Sequence, residues 1–428
     1  MSAPLRVGIA GLGTVGGGVV KLLRTNAEVI AARAGRRIEA VAVSARDRAK
    51  QRGFDLAGLR WESDPLALAS AKDVDVVVEL IGGSDGPGRK LAEAAIDAGK
   101  GVVTANKALL ACRGFDLAKR AEAKKASLAI EAAVAGGIPI LKALREGLAA
   151  NRLARVYGIL NGTCNYILTQ MQGSGRDFAE VLAEAQKLGY AETDPSFDID
   201  GVDTAHKLAV LASVAFGMPV AFDKVHVEGI RAITAADIAF AAELGFRLKL
   251  LAVARRTNHG IEQRVHPALV ALDDPIAHVD GVFNAVVAEG DFVGRTVFEG
   301  RGAGEGPTAS AVVADLIDIA SGRGTPAFGV PASALVAQPH APMERHVGPY
   351  YIRLTVHDRP GVIADIAAIL RDEQVSIESL LQRGRAETVP VVMITHETEE
   401  AAMRRAAARI GALASVTEPP CLIRIELL

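Results

Sequence analysis

Short unbroken apolar runs alternate with stretches of helical periodicity over the first third of the chain. "LRVGIA" (5 to 10) stops at glycines, and "GTVGGGVVKLLR" then spaces its aliphatics for a helix. "RIEAVAVS" (37 to 44) and "VDVVVELIGG" (74 to 83) follow as β-rich runs, the second of the continuous kind buried in parallel sheets. "RKLAEAAIDAGK" reads as a helix, while "GVVTANKALLA" (101 to 111) and "SLAIEAAVAGG" (127 to 137) continue the alternation of strand and helix. This order predicts an α/β unit with a doubly wound parallel sheet over residues 1 to 138.

From residue 139 the pattern changes. Helices near 139 to 149, 177 to 188 and 203 to 216 are interspersed with strand-like runs, "RVYGILNG", "VHVEGI" and "LKLLAVARR", so residues 139 to 301 form an expected α+β unit. "TPAFGVPASALVAQPHAPMERHVG" (325 to 348) interrupts all periodicity and reads as a linker. Residues 349 to 428 then run strand, helix, strand, strand, helix, strand, the ferredoxin-like βαββαβ order.

Length and composition narrow the chemistry. A chain of 428 residues exceeds one ordinary core, and with 50% apolar but only 4% aromatic residues its cores are built from aliphatics and alanine. Forty-eight basic against fifty acidic residues, a formal charge of -2, leave no global attraction to nucleic acid or anionic membrane. Small-molecule chemistry is expected. Cys112, Cys164 and Cys421 are widely spaced, without a CxxC pair, and read as reduced thiols. The amino terminus lacks the basic segment and cleavage site of a signal peptide, and the uncharged apolar stretches fall short of the roughly 20 residues that span a bilayer. A soluble, cytoplasmic protein is expected.

Gly11, Gly13 and Gly16 form GxGxxG at the junction of the first strand and helix. This is the phosphate-binding turn of Rossmann-type sheets: glycines permit the tight turn and the close approach of pyrophosphate, and the helix start at Thr14 and Val15 offers free N–H groups. Where an acid for the ribose normally ends the second strand, Ser44 and Arg46 stand, followed by Arg48, Lys50 and Arg52. The positive charge favours the 2′-phosphate of NADP over NAD; the other reading is a solvated basic face with Asp47 on the ribose.

"AETDPSFDIDGVDTAHKLAVLA" (191 to 212) concentrates carboxylates ahead of one lysine. A calcium loop is excluded by register, because Lys207 falls where an EF-hand needs its bidentate Glu. Asp198 or Asp200 as a helix cap is one ordinary reading. In the other, Asp203 and Lys207 are i and i+4 on a helix whose apolar residues surround it, so the lysine is buried beside a carboxylate and suited to proton transfer. Lys107, just beyond the strand "GVV", and Asn161-Gly162-Thr163, at a strand-to-helix turn, are further candidates.

These motifs in this order, with "EAAVAGGIPI", "GILNGTCNYIL" and "GRGAGEGPTASAVVADL", resemble bacterial homoserine dehydrogenases along essentially the whole chain, and the last unit, with "DRPGVIADIAAIL", resembles an ACT domain. The resemblance implies reversible, NAD(P)-dependent reduction of L-aspartate 4-semialdehyde to L-homoserine, on the route to threonine and methionine. It implies Lys207, Lys107 and Asp203 as the catalytic group, Glu192 and Asp198 as substrate ligands, and Gly162, Thr163 and Tyr190 beside them. It further implies Gly11, Gly13, Thr14, Val15, Gly16, Arg46, Thr104, Lys107 and Gly302 about the cofactor, with a helix near 302 to 322 returning to the nucleotide unit. A monovalent cation, sodium, is implied at Glu131 and the carbonyls of Val134, Gly136 and Ile138. A homodimer or homotetramer paired through the middle unit, and threonine as an effector at the ACT unit near Gly361, are implied as well. Two other readings stand beside it: a dehydrogenase of another amino-acid semialdehyde, and a sensor that binds nucleotide and amino acid without reacting.

Overall fold

The computed structural model describes residues 3 to 428. A six-stranded parallel sheet runs Arg60–Glu62, Ile38–Ser44, Leu5–Ala10, Val76–Glu79, Gly101–Thr104, Leu128–Ala129. Chain order reverses beside Leu5–Ala10, which opens a crevice at the carboxyl ends of the strands. Val7, Ile9, Val77 and Val78 are fully buried between two helical layers, as their unbroken apolar runs require. The edge strand Arg60–Glu62 is too short and too charged to have shown in the pattern.

Helix Glu305–Ala320 returns to this sheet and packs on Thr14–Thr25. A Cβ at Gly18 would sit 2.7 Å from the Glu305 carbonyl oxygen, so that glycine sets the approach of the two helices. Residues 127 to 137 form only a two-residue strand and a single 3-10 turn, Glu131–Ala133. The helix expected over 139 to 149 is one short α turn, Ile140–Lys142, continued by a π turn, Ala143–Gly147.

The remaining units share one mixed sheet. Its order is Gly294–Arg301, Phe283–Gly290, Leu153–Ile159, Phe246–Thr257, Gly260–Ala271, Cys421–Glu426, Tyr350–His357, Thr388–Thr395, Ile377–Gln382, with His226–Val227 also paired to Gly260–Ala271. The carboxyl-terminal βαββαβ unit therefore joins the middle unit edge to edge, Ala268 opposite Arg424, in a parallel pair. Segment 325 to 348 carries two 3-10 turns and a two-residue strand amid irregular backbone, and it is anchored: Phe328 is buried, and the Ala341 N–H donates to the Ile261 carbonyl at 2.9 Å. Among the described residues no helix is long and apolar enough to cross a membrane.

Candidate active site

A cleft of about 500 Å³ lies where the nucleotide-binding sheet meets the mixed sheet. Its wall includes Lys107, Gly162, Thr163, Tyr190, Glu192, Asp198, Asp203 and Lys207, so every substrate or catalytic residue expected from the sequence converges here. Each arrives by a local rule. Lys107 opens helix Lys107–Ala123 directly beyond the strand Gly101–Thr104, and Asn106 caps that helix through the Leu109 N–H at 3.0 Å. Asn161 ends the strand Leu153–Ile159 turn and caps Gly162–Ser174 through the Cys164 N–H at 2.8 Å. Gly162 permits the close approach of that helix to Val282, whose carbonyl oxygen a Cβ would meet at 2.9 Å.

Helix Val202–Phe216 carries Asp203 and Lys207. The cap is not Asp198 or Asp200: Gly201 takes that position at φ +84°, a left-handed conformation that no carboxylate side chain is needed to stabilise. Asp198 is thereby released for other partners. Nearly every residue from Asp203 to Val214 is buried, so the Asp203–Lys207 pair is an interior pair and not a surface bridge.

The Lys207 ammonium donates to the Leu160 carbonyl at 2.6 Å and to Asp203 Oδ2 at 2.8 Å. Lys107 reaches the other oxygen, Asp203 Oδ1, at 2.6 Å, so the carboxylate bridges the two lysines. Asn161 Nδ2 lies 2.8 Å from both Asp203 Oδ2 and Asp198 Oδ1, joining the two carboxylates. The Thr163 hydroxyl sits 2.9 Å from the Tyr190 carbonyl and 3.1 Å from Asp198 Oδ2.

Electrostatics follow from that geometry. Burial, joined by repulsion from Lys107, lowers the Lys207 pKa against the pull of Asp203. For Lys107 burial opposes the charge, but Asp203, Asp198 and Glu192 outweigh it and raise its pKa. Burial also opposes the Asp203 charge, yet the two lysines hold it well below the usual carboxylate range. Glu192 and its neighbour Asp194 are exposed at the cleft, where the Glu192 carboxylate has no hydrogen bond of its own.

The glycine turn adjoins this cleft as a cradle. Gly11, at φ +97°, lies against Leu80, and a Cβ at Gly16 would fall 2.0 Å from the Gly11 carbonyl oxygen, whereas a Cβ at Gly13 would meet nothing within 4 Å. Open space at Gly13, exposed Thr14 and half-buried Val15 leave the helix start accessible to a pyrophosphate. Arg46 is exposed just past Ile38–Ser44 and makes no hydrogen bond or ion pair, while Asp47 caps the Ala49 N–H at 2.8 Å. Thr104 departs from the expected cofactor contact: fully buried, its hydroxyl donates to Glu79 at 2.6 Å and accepts the Asn106 N–H at 3.0 Å. It shapes the loop indirectly, since Glu79 also receives the Ile81 N–H at 2.8 Å.

Several site residues were missed by the sequence reading. Arg301 ends the strand Gly294–Arg301 at the cleft, Ala303 and Gly304 line it just beyond, and Asn284 adds a buried, unpartnered Nδ2. Gly302 leaves room for that amide, because a Cβ there would overlap Asn284 Oδ1 at 2.1 Å. Only the pairing of Phe283–Gly290 with Gly294–Arg301 brings these together, and no local motif marks it.

The expected cation ligands sit apart from the cleft wall. Glu131 is 1% exposed and accepts the Leu141 N–H at 3.0 Å and the Lys142 N–H at 2.8 Å. The Ile138 carbonyl takes the Ile140 N–H at 2.7 Å, while those of Val134 and Gly136 receive no backbone N–H. Burial, with Asp315 nearby, pushes the Glu131 carboxyl up to about 7.

A doubly wound sheet with a glycine cradle, facing a buried lysine-carboxylate group across one cleft, defines a nicotinamide-dinucleotide oxidoreductase of small polar substrates. Family models agree with that class. Residues 11–131 match the homoserine dehydrogenase NAD-binding domain, residues 139–317 homoserine dehydrogenase and residues 350–415 the ACT domain. The chain is 48% identical to homoserine dehydrogenase of Pseudomonas aeruginosa over 99% of both proteins. It superposes on a homoserine dehydrogenase crystal structure from Thiobacillus denitrificans with TM-score 0.94 at 48% identity, covering 99% of this chain and 98% of that one. A hyperthermophilic archaeal homoserine dehydrogenase in complex with NADPH matches at 25% identity and TM-score 0.63, covering 74% of this chain and 97% of that one. The chain belongs to the homoserine dehydrogenase family, NAD(P)-dependent oxidoreductases that interconvert L-homoserine and L-aspartate 4-semialdehyde.

Proposed function

We propose that Lys207 exchanges the proton of this reaction, with Asp203 holding it in place and Lys107 balancing the charge. The observation that carries the assignment is a buried ammonium at the cleft wall with two N–H bonds committed, to Leu160 and Asp203. An ammonium has three, so one remains for the substrate oxygen. In the reductive direction that proton passes to the carbonyl oxygen as negative charge develops there, leaving a neutral amine; in the oxidative direction the amine takes the hydroxyl proton. The bound nicotinamide dinucleotide supplies the hydride or accepts it. Asp203 stays ionised throughout, because Lys107 remains paired with it when Lys207 is neutral.

Glu192 and Asp198 then take the substrate ammonium, with Gly162, Thr163 and Tyr190 closing the substrate side and Gly302 the cofactor side. Arg46 meets the 2′-phosphate and favours NADP, a reading supported by its unpaired charge and by the NADPH complex of the archaeal relative. Sodium at Glu131 with the carbonyls of Val134, Gly136 and Ile138 is supported by the two carbonyls that lack N–H partners. Threonine at the ACT unit near Gly361, and pairing of subunits through the middle unit, whose hairpin leaves Phe292 91% exposed, complete the reading.

The test is Lys207→Ala assayed with aspartate 4-semialdehyde and NADPH or NADH. Turnover falls about a thousandfold while NADPH affinity, read by fluorescence titration, stays within about twofold of wild type. Near-normal turnover would sink the assignment.

A further inference from the structure

Behind the acidic segment runs a strap, residues 226 to 231, that no sequence motif marks. Gly229 lies so close that a Cβ there would fall 2.2 Å from the Ile199 carbonyl oxygen and 2.5 Å from Asp200 Cα. The Ile230 N–H donates to the Ile199 carbonyl at 2.9 Å, and Arg231 holds both Asp200 and the Ser196 hydroxyl. A Cβ at Gly201 would approach Val227 at 3.1 Å and the Glu228 carbonyl oxygen at 3.3 Å. Any displacement of the strap therefore passes to Asp198 on one side and to the start of the Asp203–Lys207 helix on the other.

The strap is fixed from the carboxyl-terminal unit. Glu228 receives a forked pair from Arg424, Nη1 to Oε2 at 2.6 Å and Nη2 to Oε1 at 3.0 Å, and a further bond from Arg404 Nη2 at 3.1 Å. His226 Nε2 lies 2.9 Å from the same Oε1. Arg424 is nearly buried and is gripped on its far side by Glu400, at 2.8 and 2.5 Å. Glu400 accepts in turn from Arg404 Nε and the Tyr350 hydroxyl, each at 2.7 Å. Arg424 belongs to the last strand of the unit, Glu400 and Arg404 to its second helix, and Tyr350 to its first strand. A forked arginine-carboxylate contact fixes orientation as well as distance.

We propose that Glu228 is a positioning residue for hydride transfer: held in register by Arg424 and Arg404 of the carboxyl-terminal unit, it sets the placement of Asp198 and Asp203 through the strap. This rests on the roles given to those two carboxylates above. The ACT unit is then a structural part of the substrate site, beyond any effector it binds.

Glu228→Gln and Arg404→Gln, made in the full chain, test it by steady-state kinetics. Arg404 is half exposed, so its loss keeps the buried Arg424–Glu400 pair and the fold. The semialdehyde KM rises roughly tenfold in Glu228→Gln and about threefold in Arg404→Gln, and kcat falls with it, while the KM for NADPH moves less than about twofold. Arg404→Lys, which keeps the charge, recovers most of the second loss. Semialdehyde KM values within about twofold of wild type in both variants, with only the unfolding temperature lowered, would overturn the proposal and leave the strap a purely structural brace. Failure of the underlying assignment reads out separately, as an unchanged semialdehyde KM in Asp198→Asn.

Discussion

Two clusters of buried charge, one centred on the strand Gly260–Ala271 and one in the cleft, differ in where their unused donors point. At the seam with the carboxyl-terminal unit, Arg264 is fully buried and bonds Glu426 through both carboxylate oxygens at 2.7 Å, with Glu262 on its other arm. Glu262 takes Arg255 on its second oxygen at 2.9 Å and His346 at 2.9 Å on the first. In the cleft, Asp203 is held by both lysines, but Lys207 keeps one N–H free and Asn284 Nδ2 is unpartnered. Both clusters bear the desolvation cost of burial. The first pairs each arginine with carboxylates and fixes a domain junction, although His346 Nε2 and the Gln263 amide find no partner there; the second turns its unused donors toward an open cleft. Unused donors that face a cleft, more than burial or charge, separate a site from a brace.

The largest effects should fall in opposite observables. Arg264→Leu strands two buried carboxylates and costs about 3 to 5 kcal/mol of stability, read by denaturant unfolding, while the folded fraction keeps its kcat. Lys207→Ala leaves Asp203 with Lys107 and Asn161 as partners, so the same unfolding measurement shows a smaller loss than Arg264→Leu beside its loss of turnover. A large loss of stability in Lys207→Ala, or a specific loss of kcat in folded Arg264→Leu, would break the distinction.

That distinction was only half legible along the chain. Asp203 and Lys207 were visible because i, i+4 spacing is a local rule, and the glycine turn and the βαββαβ order because each is a short-range pattern. The seam was invisible for the opposite reason. Glu262, Gln263, Arg264 and His266 lie within one strand that is buried on both faces, and their polarity hides it from any hydrophobic period until Arg424 and Glu426 arrive from more than 150 residues away. Asn284 and Arg301 enter the cleft through a hairpin of the same mixed sheet, and Glu79 reads as the polar end of a strand until Thr104 and the Ile81 N–H close on it. Tertiary pairing, not local propensity, decides which polar residues are interior.

A smaller effect sharpens the rule at the edge of the nucleotide cradle. Arg46 is exposed with no protein partner at the end of Ile38–Ser44, where the role proposed for it is to meet the 2′-phosphate. Arg46→Ala should raise the KM for NADPH about tenfold and leave that for NADH within about twofold, in parallel assays at fixed salt. An equal rise for both cofactors would assign Arg46 to the loop rather than to the 2′-phosphate.

The smallest effect probes a third buried cluster, Glu131 with Asp315. The Glu131 N–H donates to Asp315 at 2.9 Å, and Lys142 stands 3.3 Å from Asp315 Oδ1. Burial first, and Asp315 second, raise the Glu131 carboxyl to about 7, above its ordinary value near 4.5. Between those values the folded state binds more protons than the unfolded one, so this group's contribution is fully present below the unfolded pKa and is lost as pH rises through the folded pKa. A sodium ion held there, as proposed, would add positive charge and oppose that loss. Wild-type protein at pH 8 should therefore gain a few degrees in unfolding temperature when choline chloride is replaced by sodium chloride at equal ionic strength. Glu131→Gln should lose both the decline from pH 5 to 8 and the sodium response. A wild-type unfolding temperature indifferent to sodium would mean that the two buried carboxylates are held by Lys142 and Arg145 alone.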